Sequence, residues 1–360
     1  MKQSKPNFTL VQAARGIASA WVVLFHIYMG ARISGLVALL PAWLVASLFG
    51  YGSAGVGIFF VLSGFVIAHS LASKKLDGEG FATFIARRSI RLDPPYWASM
   101  ILAVSSAMIM ARLHGAAYGL PSITQVLAHM AYLQELLGFP EIDRVYWTLT
   151  FEIQFYLVFA LGHVLINKLD PRFGRARAEL AIFTPLALLA FAAAIESDDW
   201  AYHGLFVNAW HGFFVGVLAY YAGYRKRSPI PLFALCITML IAAHFRTSVF
   251  DTPCAVTALI LFVASRTGYL LRGLRGAAWQ FLGRISYSLY LVHVPLLALG
   301  FGIWGKLFGR GAVQDAAGLV IVGGGIVAFA SLFWWLIERP CHQLATRLTL
   351  RRRRAEPMPA

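Results

Sequence analysis

LVQAARGIASAWVVLFHIY, residues 10–28, decides the fold, because it is an apolar run of membrane-helix length carrying one arginine, Arg15, and one histidine, His26. At about 100° per residue, eleven residues turn roughly three times plus 20°, so both polar side chains share a helix face, ~16 Å apart along the axis. An ionisable group inside a membrane segment is costly unless it meets a partner or a water-filled cavity, so the pair reads as functional. The plainer alternative leaves Arg15 snorkelling to the headgroups and His26 as a satisfied interfacial residue.

Around this stretch the chain is 59% hydrophobic and 13% charged, with mean hydropathy +0.67. A soluble domain carries about 25% charged residues. The composition therefore predicts an integral membrane protein: an all-α, polytopic chain forming a single membrane domain over 1–360, with a core at 8–343 and a basic tail at 344–360. Apolar runs of about 17 to 22 residues place ten spans near 9–30, 52–73, 95–113, 145–167, 179–195, 204–222, 230–245, 254–267, 284–305 and 316–337. The seventh and eighth are short. Lys2 and Lys5 precede the first run, but Arg15 interrupts it and no small-residue cleavage pattern follows, so the run reads as an uncleaved signal anchor.

The net charge of +15 raises the question of nucleic acid, and its distribution answers it. With a cytoplasmic N-terminus, the inner side receives Lys2, Lys5, Lys74, Lys75, Arg87, Arg88, Arg91, Arg175, Arg225, Arg227 and the tail Arg351 to Arg354, among others. The outer side receives only Arg32, Arg112, Arg144, Arg246, Lys306 and Arg310. That asymmetry predicts an even span count with both termini cytoplasmic, and it assigns the basic tail to topology and anionic lipid. Cys236, Cys254 and Cys341 show no close spacing, so neither a disulfide framework nor a metal site is expected.

Aromatics near the span ends, Tyr96 and Trp97, Tyr146 and Trp147, Trp200 and Tyr202, Tyr220 and Tyr221, Trp304, Trp334 and Trp335, are expected to anchor the interfaces. GLVALLPAWLVASLFG (35–50) is Pro-broken and too short to span, which predicts a re-entrant or interfacial piece. PSITQVLAHMAYLQELLGF (121–139) sets Val126, Met130, Leu133 and Leu137 on one stripe, predicting a helix in the outer interface.

Four further stretches carry polar groups. The second span, GSAGVGIFFVLSGFVIAHS (52–70), has glycines that favour close helix packing, with Ser63 and His69 beside them. FIARRSIRLDPPYW (84–97) puts Arg88 and Arg91 on one helix face, where guanidinium forks suit phosphate oxygens, before Pro94 and Pro95 end the helix. WTLTFEIQFY (147–156) buries Glu152 ~10 Å from the outer end of its span, a depth matching that of His26, so the two form a candidate orienting or proton-transfer pair. RISYSLYLVHVPL (284–296) aligns Ser286, Tyr290 and His293. His211 reads as a satisfied core histidine, and Glu338 with Arg339 in the closing IERP reads as a local charge pair at a helix stop.

Taken in order, Arg15 and His26, FFVLSGF, RRSIRL, WTLTFEIQFY, ISYSLYLVHVP and the closing ERP resemble the acyltransferase 3 family of bacterial membrane acyltransferases, from about residue 8 to 343. The resemblance implies about ten spans, a bacterial inner-membrane location, and transfer of an acyl group, commonly acetyl, from cytoplasmic acyl-CoA to a hydroxyl of an envelope or secreted glycan. It also implies roles: His26 as the essential histidine, Arg15 as its paired arginine, and Arg88 and Arg91 as the donor-side motif. Coenzyme A is a polyanionic head on a long arm, so Arg15, Arg88 and Arg91 are expected to hold its phosphates. His26, oriented by Glu152, is expected to deprotonate the acceptor hydroxyl, with an acyl-imidazole as the variant mechanism. Ser63, Tyr287 and Tyr290 are weak oxyanion-donor candidates. The expected partners are lipid and a glycan, with no nucleic acid and no metal. A proton-coupled transporter or flippase is the competing class, and the missing inverted-repeat symmetry counts against it.

Overall fold

The computed structural model describes residues 8–72, 76–195, 204–246 and 248–354, without the side chains of Asn208 and 349–354. Lys2, Lys5, Lys74, Lys75, Trp200, Tyr202, the chain after 354 and the side chains of Arg351 to Arg354 lie outside the described residues. All regular structure among them is helical. In chain order the helices are α1 (Thr9–Met29), α2 (Ser34–Val37), α3 (Ala42–Leu48), α4 (Ala54–Leu71), α5 (Gly78–Leu113), α6 (Ile123–Met130) and α7 (Trp147–Phe173). They continue as α8 (Arg175–Ile195), α9 (Trp210–Ala219), α10 (Ile230–Arg246), α11 (Asp251–Thr267), α12 (Ala277–Phe308), α13 (Ala312–Phe333) and α14 (Arg339–Arg354).

Each of the ten expected spans coincides with helix, and seven stretches among the described residues are long and apolar enough to cross a membrane. The chain is thus an all-helical, multi-pass membrane protein. The three that fall short are α10 and α11, with 17 residues each, and the 204–224 region, where α9 has only 10 residues between a 3-10 turn and a π turn. Large apolar side chains face outward along these helices, among them Leu180, Leu188, Ile237 and Val320, as a hydrocarbon solvent requires.

The chain divides into two compact units. The first comprises Met1–Met29, Pro41–Leu76 and Trp147–Ser286. Its centre is α4, whose glycines do what small residues in a span are for. A Cβ on Gly52 would lie 2.4 Å from the Trp21 carbonyl oxygen, and one on Gly55 would lie 2.7 Å from that of Ala18, both on α1. On another face, a Cβ on Gly64 would lie 1.9 Å from the Phe213 oxygen of α9, and one on Gly216 would lie 2.1 Å from the Val61 oxygen of α4. Phe213 stacks on Phe60 at 4.1 Å and on Phe155 at 4.5 Å, which fills the space between α4, α7 and α9.

The second unit comprises Gly30–Leu40, Asp77–Tyr146 and Tyr287–Ala360. Here two expectations fail. Pro94 and Pro95 do not end a helix, since α5 runs unbroken for 36 residues. Proline removes a backbone donor, here those that would meet the carbonyls of Ile90 and Arg91, yet the helix continues; beside the proline pair Tyr287 donates to the Leu92 carbonyl at 3.0 Å, and Ser89 donates to Asp93. IERP is no helix stop either. The chain continues through a π turn (Trp334–Glu338) into α14.

The 121–139 stretch forms only the short α6, capped by Ser122 donated to by the Gln125 N–H at 3.1 Å. Tyr132 takes a left-handed conformation (φ 58°) that stops it, and Leu133 and Leu137 are exposed, so no apolar stripe of that length exists. The 35–50 stretch is two short helices, α2 and α3, broken at Pro41, with Leu39 and Trp43 exposed, in keeping with a piece that does not span. The aromatic belt also divides. Trp335 is exposed as an anchor would be, whereas Tyr96, Tyr146 and Tyr220 are fully buried core residues, Tyr96 stacking on Tyr132 at 4.9 Å.

Candidate active site

In the first unit, α1 carries Arg15 and His26, both half-buried. The imidazole Nδ1 lies 3.0 Å from the Val22 carbonyl oxygen one turn earlier. A carbonyl only accepts, so Nδ1 holds a proton, and in the neutral ring the lone pair is then on Nε2. Such a ring is already the tautomer a general base needs. Among the described residues Arg15 has no carboxylate or carbonyl partner. It flanks Gly16, where a Cβ would lie 2.5 Å from the Gly283 nitrogen, so α1 and the start of α12 touch backbone to backbone beside the guanidinium.

Glu152 is held by two hydroxyls. Ser63 of α4 donates to its Oε1 at 2.6 Å, and Tyr156, one turn along α7, donates to the same oxygen. The Ser63 bond joins two residues singled out from sequence, and the Tyr156 contact was readable from the i, i+4 spacing alone. The expected depth match with His26 does not hold. Trp21 and Phe25 meet Gly52, Ala18 and Val22 meet Gly55, and Phe8 meets Phe65, so α4 runs antiparallel to α1. α7 runs parallel to α4, with Trp147 against Phe60 and the Asn167 amide donating to the Leu76 carbonyl at 2.8 Å. Ser63 and Glu152 therefore lie opposite the start of α1, at the level of Arg15, roughly three turns from His26. Depth counted from span ends went wrong because α7 begins at Trp147 and the helices do not start level.

Two further histidines of this unit were singled out from sequence, His69 and His211. His69 sits among Phe8, Tyr220 and Tyr224 rings at 4.7 to 5.6 Å. His211 Nε2 lies 2.7 Å from Asp251 Oδ1, and Asp251 also takes Arg246 at 3.3 Å, so Nε2 is partnered within the core while Nδ1 is buried without a hydrogen bond among the described residues. Asp251, forty residues away in sequence, gave no sequence cue.

In the second unit, α5 keeps Arg88 and Arg91 three residues apart on a continuous helix, both half-buried, with Arg88 over the Phe84 ring at 5.7 Å. The ISYSLYLVHVP segment spends its hydroxyls on backbone and carboxylate. Tyr287 goes to Leu92 O, Tyr290 to Val145 O at 3.5 Å, and Ser288 Oγ to Glu338 Oε2 at 2.6 Å. The two tyrosines thus act as donors to carbonyls in this structure. Glu338 also accepts from the Ser288 N–H at 3.2 Å, while Arg339 lies over the Trp334 ring, so the expected Glu338–Arg339 charge pair is replaced by a tie between distant segments of the unit. His293 is fully buried, its Nδ1 on the Tyr290 carbonyl at 2.7 Å.

The model of the Acyltransferase domain family matches residues 10–336, and the chain belongs to this family, whose members are acyltransferases. It is similar to "Acyltransferase MdmB" of Streptomyces mycarofaciens, 26% identical over 326 residues that cover 82% of each chain. It is also similar to "Nodulation protein 10" of Rhizobium leguminosarum bv. viciae, 24% identical over 392 aligned positions, covering 96% of this chain and 95% of the relative. A third relative, "Regulator of hypoxia-inducible factor 1" of Caenorhabditis elegans, is 28% identical over 193 residues, 50% of this chain and 38% of that protein. No solved structure matches. The chain is thus an integral-membrane acyltransferase whose acyl group is not an aminoacyl group.

Proposed function

We propose that this acyltransferase moves an acetyl group from cytoplasmic acetyl-CoA to a hydroxyl of an envelope or exported glycan, acting as a single domain in the inner membrane of a bacterium with both termini cytoplasmic. The Lys and Arg asymmetry supports the orientation. The observation that carries the mechanism is the Nδ1–H bond of His26 to Val22, which leaves Nε2 basic on the helix that also bears Arg15.

Nε2 takes the proton of the acceptor hydroxyl as its oxygen attacks the thioester carbonyl carbon. The C–S bond then breaks, and the imidazolium returns the proton to the departing CoA thiolate. Arg15 supplies a guanidinium with no carboxylate partner among the described residues for the anionic donor, and Arg88 and Arg91 offer bidentate forks for its phosphates. Glu152 acts as a positioning residue: it fixes Ser63 on α4, and α4 carries Gly52 and Gly55, on which α1 is seated.

The test is purified protein in lipid with acetyl-CoA labelled on the acetyl group. Label passing to glycan, or slow CoA release to water, is expected in wild type and about 10³-fold slower in His26→Ala. Arg88→Ala is expected to raise the KM for the donor about tenfold with less change in kcat. Near-wild-type transfer by His26→Ala would overturn the mechanism, and absence of donor turnover in wild type would overturn the function.

A further inference from the structure

A second concave site lies in the second unit, where the C-terminal ends of α5 and α12 meet the segment joining α1 to α2. It encloses about 420 Å³, and Arg32, His114, Lys306 and Arg310 face into it above a floor of Met110 and Phe301. None of the residues named so far in the mechanism belongs to it.

The charge of this cavity is one-sided. Within 30–37, 110–115 and 298–315 the only acidic residue is Asp315, and its Oδ2 is committed to the Gly35 and Leu36 N–H groups at 2.7 and 3.3 Å. The cations are held by neutral carbonyls instead. Arg310 donates to Arg32 O at 2.9 Å, Lys306 donates to Leu113 O, and His114 Nδ1 donates to Met110 O at 2.8 Å. The lining thus carries three permanent positive charges and no carboxylate, and the two helix C-termini supply only about half a negative charge each. Burial, and then the charge of Arg310, hold the Arg32 guanidinium below its usual range.

The backbone is shaped for this arrangement. A Cβ on Gly30 would lie 2.2 Å from Arg32 Nη1, and one on Gly305 would lie 3.2 Å from Arg310 Nε, so each guanidinium rests over a glycine. A Cβ on Gly302 would lie 2.3 Å from Met110 Cε, so the floor too depends on a missing side chain.

We propose that this cavity is a subsite for an anionic sugar of the acceptor, a residue bearing carboxylate, sulfate or phosphate. The inference rests on the glycan-transfer reading above and adds to it the charge class of the glycan. Arginine forks match such groups bidentately, and a lining of Arg32, Lys306 and Arg310 with no acid is complementary to negative charge. Two apolar side chains on the floor suit one face of a sugar ring and are too few for a lipid chain. The volume suits a small polar ligand. On the proposed topology the cavity opens on the outer side, where an exported glycan would be met.

The experiment uses the full chain in phosphatidylcholine nanodiscs, titrated calorimetrically with an oligomer of glucuronic acid and with maltohexaose. The acidic oligomer is expected to bind, to weaken at least about tenfold in R32Q/R310Q, and to weaken when salt rises from about 0.05 to about 0.5 M. Maltohexaose binding is expected to be weaker and insensitive to the substitutions. Lys306→Gln, which leaves both arginines in place, is expected to give a smaller loss and serves if the double variant does not fold. Equal affinity for the two oligosaccharides, or an acidic-oligomer affinity unchanged in both variants, would overturn the proposal. Displacement of the acidic oligomer by phosphatidylglycerol in the nanodisc would also overturn it, by assigning the cavity to a lipid headgroup. CoA release from acetyl-CoA, followed in the same samples, reports on the transfer reading separately, because it needs no acceptor and none of the substituted residues belongs to the donor machinery.

Discussion

Glu152 and Glu338 are the same device in two settings. Each is a glutamate on an apolar helix that accepts a hydrogen bond from a serine of another helix at 2.6 Å, Ser63 in one unit and Ser288 in the other. They differ in what else holds them. Glu152 is half-buried and takes only hydroxyls, from Ser63 and Tyr156, whereas Glu338 is buried and also takes a backbone N–H. Hydroxyls rotate and can be exchanged for water or substrate; a main-chain donor inside a helix cannot. The first arrangement suits a residue that transmits position to a working site, and the second suits a brace.

The largest difference should come from removing the brace. Glu338→Ala strands the buried Ser288 hydroxyl and removes a second acceptor from its N–H, and a loss of up to about 3 kcal/mol is expected, read as a fall in the unfolding midpoint in detergent. Glu338→Gln, which keeps an acceptor oxygen, should recover most of it. If Glu338→Ala unfolded at the wild-type temperature, the brace reading would be wrong.

Glu152→Ala is expected to cost activity more than stability, about 10²-fold in kcat, because small misplacements of α1 propagate to His26. Glu152→Gln retains acceptors for Ser63 and Tyr156 and should return kcat to within about tenfold. A Gln variant as inactive as the Ala variant would instead make the charge, and proton transfer, the point of the residue.

The serines sharpen the contrast with a smaller effect. Ser63→Ala and Ser288→Ala each remove one hydroxyl donor, worth about 1 kcal/mol. Ser288→Ala should appear only in the unfolding midpoint. Ser63→Ala should also lower kcat, and equal kinetics for the two would erase the distinction drawn here.

A pH-dependent effect concerns an acid outside the spans. Burial pushes Asp143 up to about 7, reinforced by the charge of Glu141 and opposed by the Val145 N–H and Arg144. A folded-state value above the unfolded one means the native state holds the proton more tightly, so stability is fullest below about pH 4 and falls as pH rises to about 7. Amide exchange in the 131–146 segment should therefore quicken over that range beyond its intrinsic rate, and Asp143→Asn should flatten the trend.

Much of the architecture was legible one-dimensionally. A membrane helix satisfies its own backbone, so apolar length and the positions of Arg15, His26, Ser63 and Glu152 on helices could be read locally. The tautomer of His26 is likewise local, set by a carbonyl one turn away. What was not legible depends on how helices are offset and what they touch. Pro94 and Pro95 read as a break because proline removes backbone donors, and the packing beside them, where Tyr287 donates to the Leu92 carbonyl, comes from 195 residues away in the chain. Tyr96 and Tyr146 read as interfacial anchors because their burial comes from Tyr132 and Ser99, which pattern alone does not bring near.

The sequence by itself therefore determined the class of the molecule, its helices, its family and the helix that carries the candidate base, because each rests on composition or on spacing within one turn or one span. Tertiary structure alone decided that Glu152 stands level with Arg15, that Glu338 ties to Ser288, and that Arg32, Lys306 and Arg310 share a cavity. The physical reason is the same in all three cases: contact between side chains is set by the register and packing of whole helices, and register is fixed by where glycine lets two backbones touch.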